Sequence, residues 1–174
     1  MKQIVENLIT TRRLLLDEIE QLDIIQLNRR LSTDSWSIGQ VCHHLILTEA
    51  LFTQAIQLGL SKEDDHSVYD KPIELVLDRT KKIESPGIAR PSNEQFTREF
   101  LIDGLTSTRE KILKVINDQD DPSIFSRKTA RHLVFKELKL DQWITLLYLH
   151  EQRHIKQIQD IKKNNEERLH EQSS

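Results

Sequence analysis

Apolar residues recur along this chain at spacings of three and four, the period of a helix that buries one face. Ile4, Leu8, Leu15, Ile19, Leu22 and Leu27 make such a stripe and predict one long amphipathic helix over residues 2–29. A break follows at 31–37. Ser37 with Gln40 three residues on has the capping-box pattern, and Trp36 and Val41 occupy the two positions of a hydrophobic staple. The second helix is therefore expected from Ser37 to about Leu58, with Gly59 as the residue past its end.

Residues 60–91 read as a connector. Its stretch 61–70 is polar, Pro72 opens a short helix that ends before Ser85-Pro86-Gly87, and Pro91 closes it. Ser92 with Gln95 repeats the capping-box pattern ahead of Phe96, Phe100, Leu101, Leu105, Ile112, Val115 and Ile116, a third long helix that 117–122 ends. Residues 123–139 form a second irregular connector with no convincing strand. A fourth helix starts near Asp141 and runs past Ile161; beyond Lys162 the chain is polar and reads as a frayed tail. The expectation is an all-α fold: a four-helix bundle with long connections, one domain over 1–162 and a tail over 163–174.

Composition narrows the function classes. Four Gly and four Pro in 174 residues argue against a many-stranded sandwich or barrel. With 25 Lys+Arg against 28 Asp+Glu the net charge is -3, which excludes binding of nucleic acid through phosphate neutralisation. No uncharged apolar run approaches the ~18 residues of a membrane span, and the first residues lack the apolar stretch of a signal peptide. One cysteine, Cys42, leaves no internal disulfide. A cytoplasmic protein is the simplest expectation.

The seven histidines carry the chemistry: His43, His44, His66, His132, His150, His154 and His170. On the last helix Trp143, Leu147, His150, His154, Ile158 and Ile161 share one face, so two histidines four residues apart interrupt the core stripe and can reach one cation. On the second helix Ile38, Val41, Leu45, Thr48, Phe52 and Ala55 cluster. His44 lies roughly 60° from the centre of that face and His43 nearly opposite it, in solvent. A hydrogen-bonded core histidine is the competing reading of each. A buried imidazole without partners costs about 1–3 kcal/mol, and a helical bundle offers few free carbonyls. A divalent metal satisfies all three through neutral nitrogens. The wheel does not show that the two helices meet at His44.

His150-Glu151-Gln152-Arg153-His154 also fits the zinc-peptidase pattern H-E-x-x-H, with Glu151 as general base. The polar tail supplies no downstream ligand, and the competing reading of Glu151 is a solvated helix flank. Gln157, one turn after His154, is a candidate to bond metal-bound water or substrate. Glu49 is a candidate base or outer acceptor, against a solvated flank. Cys42 reads as a small buried residue, and Trp36 and Trp143 as core.

WSIGQVCHHLILTEALF over residues 36–52, HLVFKELKLDQWITLLYLHEQRHIKQI over 132–158 and the intervening IESPGIARPS together resemble the DinB/YfiT-like superfamily, over roughly residues 2 to 162. The resemblance implies a four-helix bundle and a divalent metal, zinc or nickel, one per chain, held by His44, His150 and His154. The family's second connector reads His-Pro-x-Phe-Gly; here it is His132-Leu133-Val134-Phe135-Lys136, without the Pro or the Gly.

As for activity, the resemblance implies a hydrolase or a low-molecular-weight-thiol S-transferase acting on a small-molecule substrate. Family members include bacillithiol transferases and mycothiol isomerases. It also implies a homodimer. Three neutral imidazoles leave the full charge on the metal, which lowers the pKa of bound water towards ~7 and that of a bound thiol further. Two further readings stand beside the enzyme: a non-catalytic metal or small-molecule binding protein, and a structural dimer with a relic site.

Overall fold

The chain was analysed as a computed structural model, which describes residues 1–63, 68–80 and 87–172, with side chains to residue 167. His66, the Ser85-Pro86 end of the expected short helix and the side chain of His170 lie outside the described residues. Four long helices form the bundle: α1 (Lys2–Ile19), α3 (Ile38–Leu60), α4 (Arg98–Asn117) and α6 (Leu140–Gln172). Short helices α2 (Ile24–Asn28) and α5 (Ile124–Arg127) sit in the connections, with 3₁₀ turns at Ile73–Leu77 and Gly87–Ala89. Around the bundle α1 packs on α6 and α4, and α3 packs on α4 and α6; α1 faces α3, and α4 faces α6, across the diagonals.

Capping chemistry sets the boundaries, and corrects several sequence expectations. The Ser37 side chain accepts from Gln40 N (3.2 Å) while Gln40 Oε1 accepts from Ser37 N (3.1 Å), so α3 starts where its capping box places it. The expected single helix over 2–29 is two, because Asp23 and Gln26 build a second such box: Asp23 Oδ1 accepts from Gln26 N (2.8 Å) and Gln26 Oε1 from Asp23 N (2.9 Å). Ser92 does not start α4. Gln40 Nε2 holds its carbonyl (3.0 Å) and its N–H donates to His43 Nδ1 (3.2 Å), so the helix waits for Thr97, whose side chain accepts from Phe100 N. Gly59 lies inside α3. A Cβ there would come within 2.6 Å of Leu140 Cδ2 and 3.0 Å of Thr129 O, so the residue permits close approach of two segments and does not cap the helix.

The connector over 123–139 holds an antiparallel hairpin, β1 (Thr129–His132) and β2 (Lys136–Lys139), with Ala130 opposite Leu138. Each strand is four residues long and buries little more than that pair, too short for an alternating pattern to stand out. His132 Nδ1 accepts from Val134 N (3.1 Å) and Phe135 N (3.2 Å), which closes the turn, and Lys136 takes a left-handed φ of 61°. The last helix continues to Gln172, past the Lys162 at which its apolar pattern stops.

The core is two apolar clusters stacked along the bundle. One joins Leu8, Ile56, Ile112, Phe125, Leu138, Leu140 and Leu147; the other joins Leu15, Ile19, Val41, Leu45, Leu101, Leu105 and Ile158. Among the described residues no helix is long and apolar enough to cross a membrane.

Candidate metal centre

His44 projects from α3, about two turns past the Ser37 cap, and His150 and His154 project from α6 towards it. One ligand nitrogen from each lies within 4.8 Å of the other two. His150 Nε2 is 3.1 Å from His154 Nε2 and 3.4 Å from His44 Nε2.

The other ring nitrogens explain why the Nε2 atoms can converge. His44 Nδ1 donates to the carbonyl of Ala89 (2.8 Å), which the 3₁₀ turn at Gly87–Ala89 presents. His154 Nδ1 donates to Gln157 Oε1 (2.7 Å). With their protons on Nδ1, both rings direct Nε2 lone pairs at the centre, and the single N–H that His150 Nε2 could offer can meet only one of them. A set of lone pairs around one point, on rings anchored from behind, is the donor set of a cation site. Burial pushes all three imidazoles towards the neutral form: His154 to about 3, His150 well below the usual histidine range, and His44 below it. The residues present therefore fit a divalent metal.

Aromatic rings flank the triad. Trp36 lies 5.1 Å from the His44 ring, and Phe52 stacks at 6.5 Å from that of His150. Phe52 and His132 meet Trp143, whose Nε1 donates to Ala130 O (3.1 Å). Trp143 is core as expected, whereas Trp36 is half-buried beside the site. Arg153 and Arg79 bring positive charge to His154. Arg153 donates to the carbonyls of Val76 (3.0 Å) and Asp78 (2.6 Å), and Arg79 pairs with Asp160 (2.6 Å).

Glu49 and Glu151 are not solvated flanks. Both are buried, and they alternate with Arg12 and Arg109 in a closed ring. Arg12 donates from Nε to Glu151 Oε1 (2.6 Å) and bonds Glu49 Oε2; Arg109 donates from Nε to Glu49 Oε1 (2.6 Å) and from Nη2 to Glu151 Oε2 (2.9 Å). Thr108 Oγ1 adds a bond to Glu49 (3.1 Å). Every oxygen of both carboxylates is bonded, so the arrangement offers neither as a base. A cavity of about 10 Å³, room for one water, lies between the ring and His150.

Sequence reasoning missed Arg12 and Arg109. The signal was present: Arg12 falls on the stripe of Leu8 and Leu15, and Arg109 on that of Leu105 and Ile112. His43 is half-buried, not a solvent residue, because it packs on Phe96 (4.8 Å) and accepts from Ser92 N; it stays apart from the triad. Cys42 is buried in the apolar core, which pushes its thiol up to about 12. Gln157 bonds His154 itself.

The chain is similar to several known proteins. The uncharacterized protein YuaE of Bacillus subtilis (strain 168) is 29% identical over 146 residues, 84% of this chain and 89% of that one. YfiT from Bacillus subtilis, described as a probable metal-dependent hydrolase with an unusual four-helix bundle topology, superposes with a TM-score of 0.64 at 16% identity, over 93% of this chain and 85% of that one. TT2238, described as a four-helix bundle protein, gives a TM-score of 0.61 at 18% identity, over 91% and 98% of the two chains. At those identities the two structures show the shared fold. The model of the DinB superfamily matches residues 7–158, and the chain belongs to that superfamily.

Proposed function

We propose that His44, His150 and His154 hold one divalent metal ion, zinc or nickel, and that the protein is a metal-dependent enzyme acting on a small-molecule substrate with water or a low-molecular-weight thiol as nucleophile, a hydrolase or a thiol S-transferase. The observation that carries the metal reading is the convergence of three Nε2 atoms while the Nδ1 atoms of His44 and His154 already donate. The bound ion would supply Lewis acidity that draws the pKa of a thiol or water towards neutrality. Gln157 and the Ala89 carbonyl hold the ligand rings in the tautomer that faces the ion. Trp36 and Phe52 give the site apolar walls suited to the organic part of a substrate.

Arg153 places positive charge beside His154, which suits an anionic nucleophile, thiolate and hydroxide alike, while Glu49 and Glu151 are bound up in their ring. The hydrolase reading draws support from the description of YfiT as a probable metal-dependent hydrolase. A homodimer, implied by family resemblance, completes the proposal; light scattering in solution checks it.

The test is direct. Protein expressed without a tag should carry about one divalent metal per chain by elemental analysis. Loaded with metal, it should conjugate bacillithiol to a haloarene faster than the metal-free protein does. Metal bound with no thiol conjugation but with ester or amide hydrolysis would move the assignment to hydrolase. Metal bound with neither activity would leave a binding protein, and no metal at all would overturn the reading.

A further inference from the structure

The ring of Arg12, Glu49, Arg109 and Glu151 has a place in the bundle that packing alone does not require. On each long helix one charged residue falls at the boundary between the two apolar clusters: Arg12 between Leu8 and Leu15, Glu49 between Leu45 and Ile56, Arg109 between Leu105 and Ile112, and Glu151 between Leu147 and Ile155. The four meet on the bundle axis. Arg12 to Glu49 joins α1 to α3 across one diagonal, and Arg109 to Glu151 joins α4 to α6 across the other. Each guanidinium also bonds a carbonyl of the other arginine's helix, Arg12 that of Leu105 and Arg109 that of Leu8.

We propose that this ring is a positioning device for the metal ligands. The proposal rests on the metal-binding reading of the triad. Glu49 lies five residues after His44 on α3, and Glu151 directly follows His150 on α6, so the ring clamps the two ligand-bearing helices at the level of the triad. Apolar side chains tolerate small sliding and rotation of one helix against another. Charges with every donor and acceptor bonded do not, because a shift leaves an unpaired charge in a buried site. Buried ionic groups can often be replaced by apolar residues of like volume without loss of stability; their best-attested use is to set register. Groups that orient ligands from outside the coordination shell change metal affinity about 10–100-fold.

The experiment replaces the whole ring in one variant: Arg12→Met, Glu49→Leu, Arg109→Met and Glu151→Leu. Affinity for Ni²⁺ and Zn²⁺ is measured by calorimetry, and the histidine tautomers of the metal-free protein by ¹⁵N NMR. Expected is a cooperatively folded bundle with at least ten-fold weaker metal binding, in which His44, whose partner carbonyl Ala89 lies on another segment, loses the single Nδ1-protonated form of the wild type, while His154, held by Gln157 of its own helix, keeps it. Wild-type affinity and wild-type tautomers in the folded variant would overturn the proposal. If the apolar variant does not fold, the pair Arg12→Lys and Arg109→Lys keeps the charges and removes the guanidinium fork; the same ten-fold loss is expected, and an unchanged affinity overturns the proposal. Failure of the wild-type chain to bind metal would instead sink the functional reading, and the tautomer measurement would then decide positioning on its own.

Discussion

Gln157 Oε1 lies 2.7 Å from Nδ1 of His154, and this one hydrogen bond decides which nitrogen of the ring faces the triad. The carbonyl of Ala89 does the same for His44 at 2.8 Å. Both anchors pull the proton to the outside of the ring and leave Nε2 as a lone-pair donor.

Removing the Gln157 acceptor should therefore weaken metal binding while the bundle still folds. Gln157→Leu is expected to lower affinity about 10–100-fold, and Gln157→Glu, which keeps an acceptor, to restore most of it. Calorimetric titration with Zn²⁺ reads the affinity. The metal-free Gln157→Leu protein should lose about 1–3 kcal/mol in urea unfolding, since the buried His154 N–H is left without its acceptor, and Gln157→Glu should recover it.

Triad and bystander histidines should separate cleanly. At a free metal concentration about 1,000 times the dissociation constant, binding should stabilise the wild type by about 4 kcal/mol. His150→Ala and His154→Ala should abolish that increment. His43→Ala should keep it, because His43 bonds Ser92 N and stacks on Phe96 away from the centre. Thermal unfolding with and without chelator makes the comparison.

Stability of the metal-free protein should fall in acid through His132. Burial lowers this imidazole to about 4, against ~6.5 in the unfolded chain. Between those values the unfolded state binds more protons, so its stabilising contribution is complete above about pH 6.5 and is lost as pH falls through about 4. Protonation also ends the bonds that Nδ1 accepts from Val134 and Phe135. His132→Asn supplies an acceptor that does not titrate. Its urea midpoint should drop less between pH 7 and pH 4.5, though still measurably, since His44, His150 and His154 are held neutral by burial too.

Lys136 sits at φ 61° where the family connector carries Gly. A side chain in the left-handed region costs roughly 1–2 kcal/mol, partly offset because Gly loses more backbone entropy on folding. Lys136→Gly should stabilise the protein by about 0.5–1 kcal/mol in urea unfolding, and Lys136→Ala should give no such gain.

Breaking the charge ring at one point should be far worse than removing it whole. Arg109→Met alone strands carboxylate oxygens of Glu49 and Glu151 inside the bundle and should cost about 3–5 kcal/mol. A smaller loss than that of an exposed control such as Lys114→Met would contradict the ring's burial.

The apolar stripes, the Ser37 cap and the inward side of His44, His150 and His154 were legible in the sequence, because a helix maps spacing onto direction by a fixed rotation. So was the family resemblance, which rests on three contiguous stretches of sequence. The boundary at Asp23 was missed although Asp23 and Gln26 carry a helix-start signature, because the apolar stripe continues through Leu22 and Leu27 across it. The hairpin was hidden for another reason: Thr129–His132 and Lys136–Lys139 bury too few side chains to show a period. Glu49 and Glu151 read as candidate bases or solvated flanks and are neither, since the wheel of one helix cannot reveal that Arg12 and Arg109 come from two others to meet them. Direction within a helix follows from local covalent geometry, and the chain alone determined it. Which charges become partners, and whether three imidazoles share one centre, depends on how the helices pack. Those relations join residues up to 139 positions apart, and only the tertiary structure decided them.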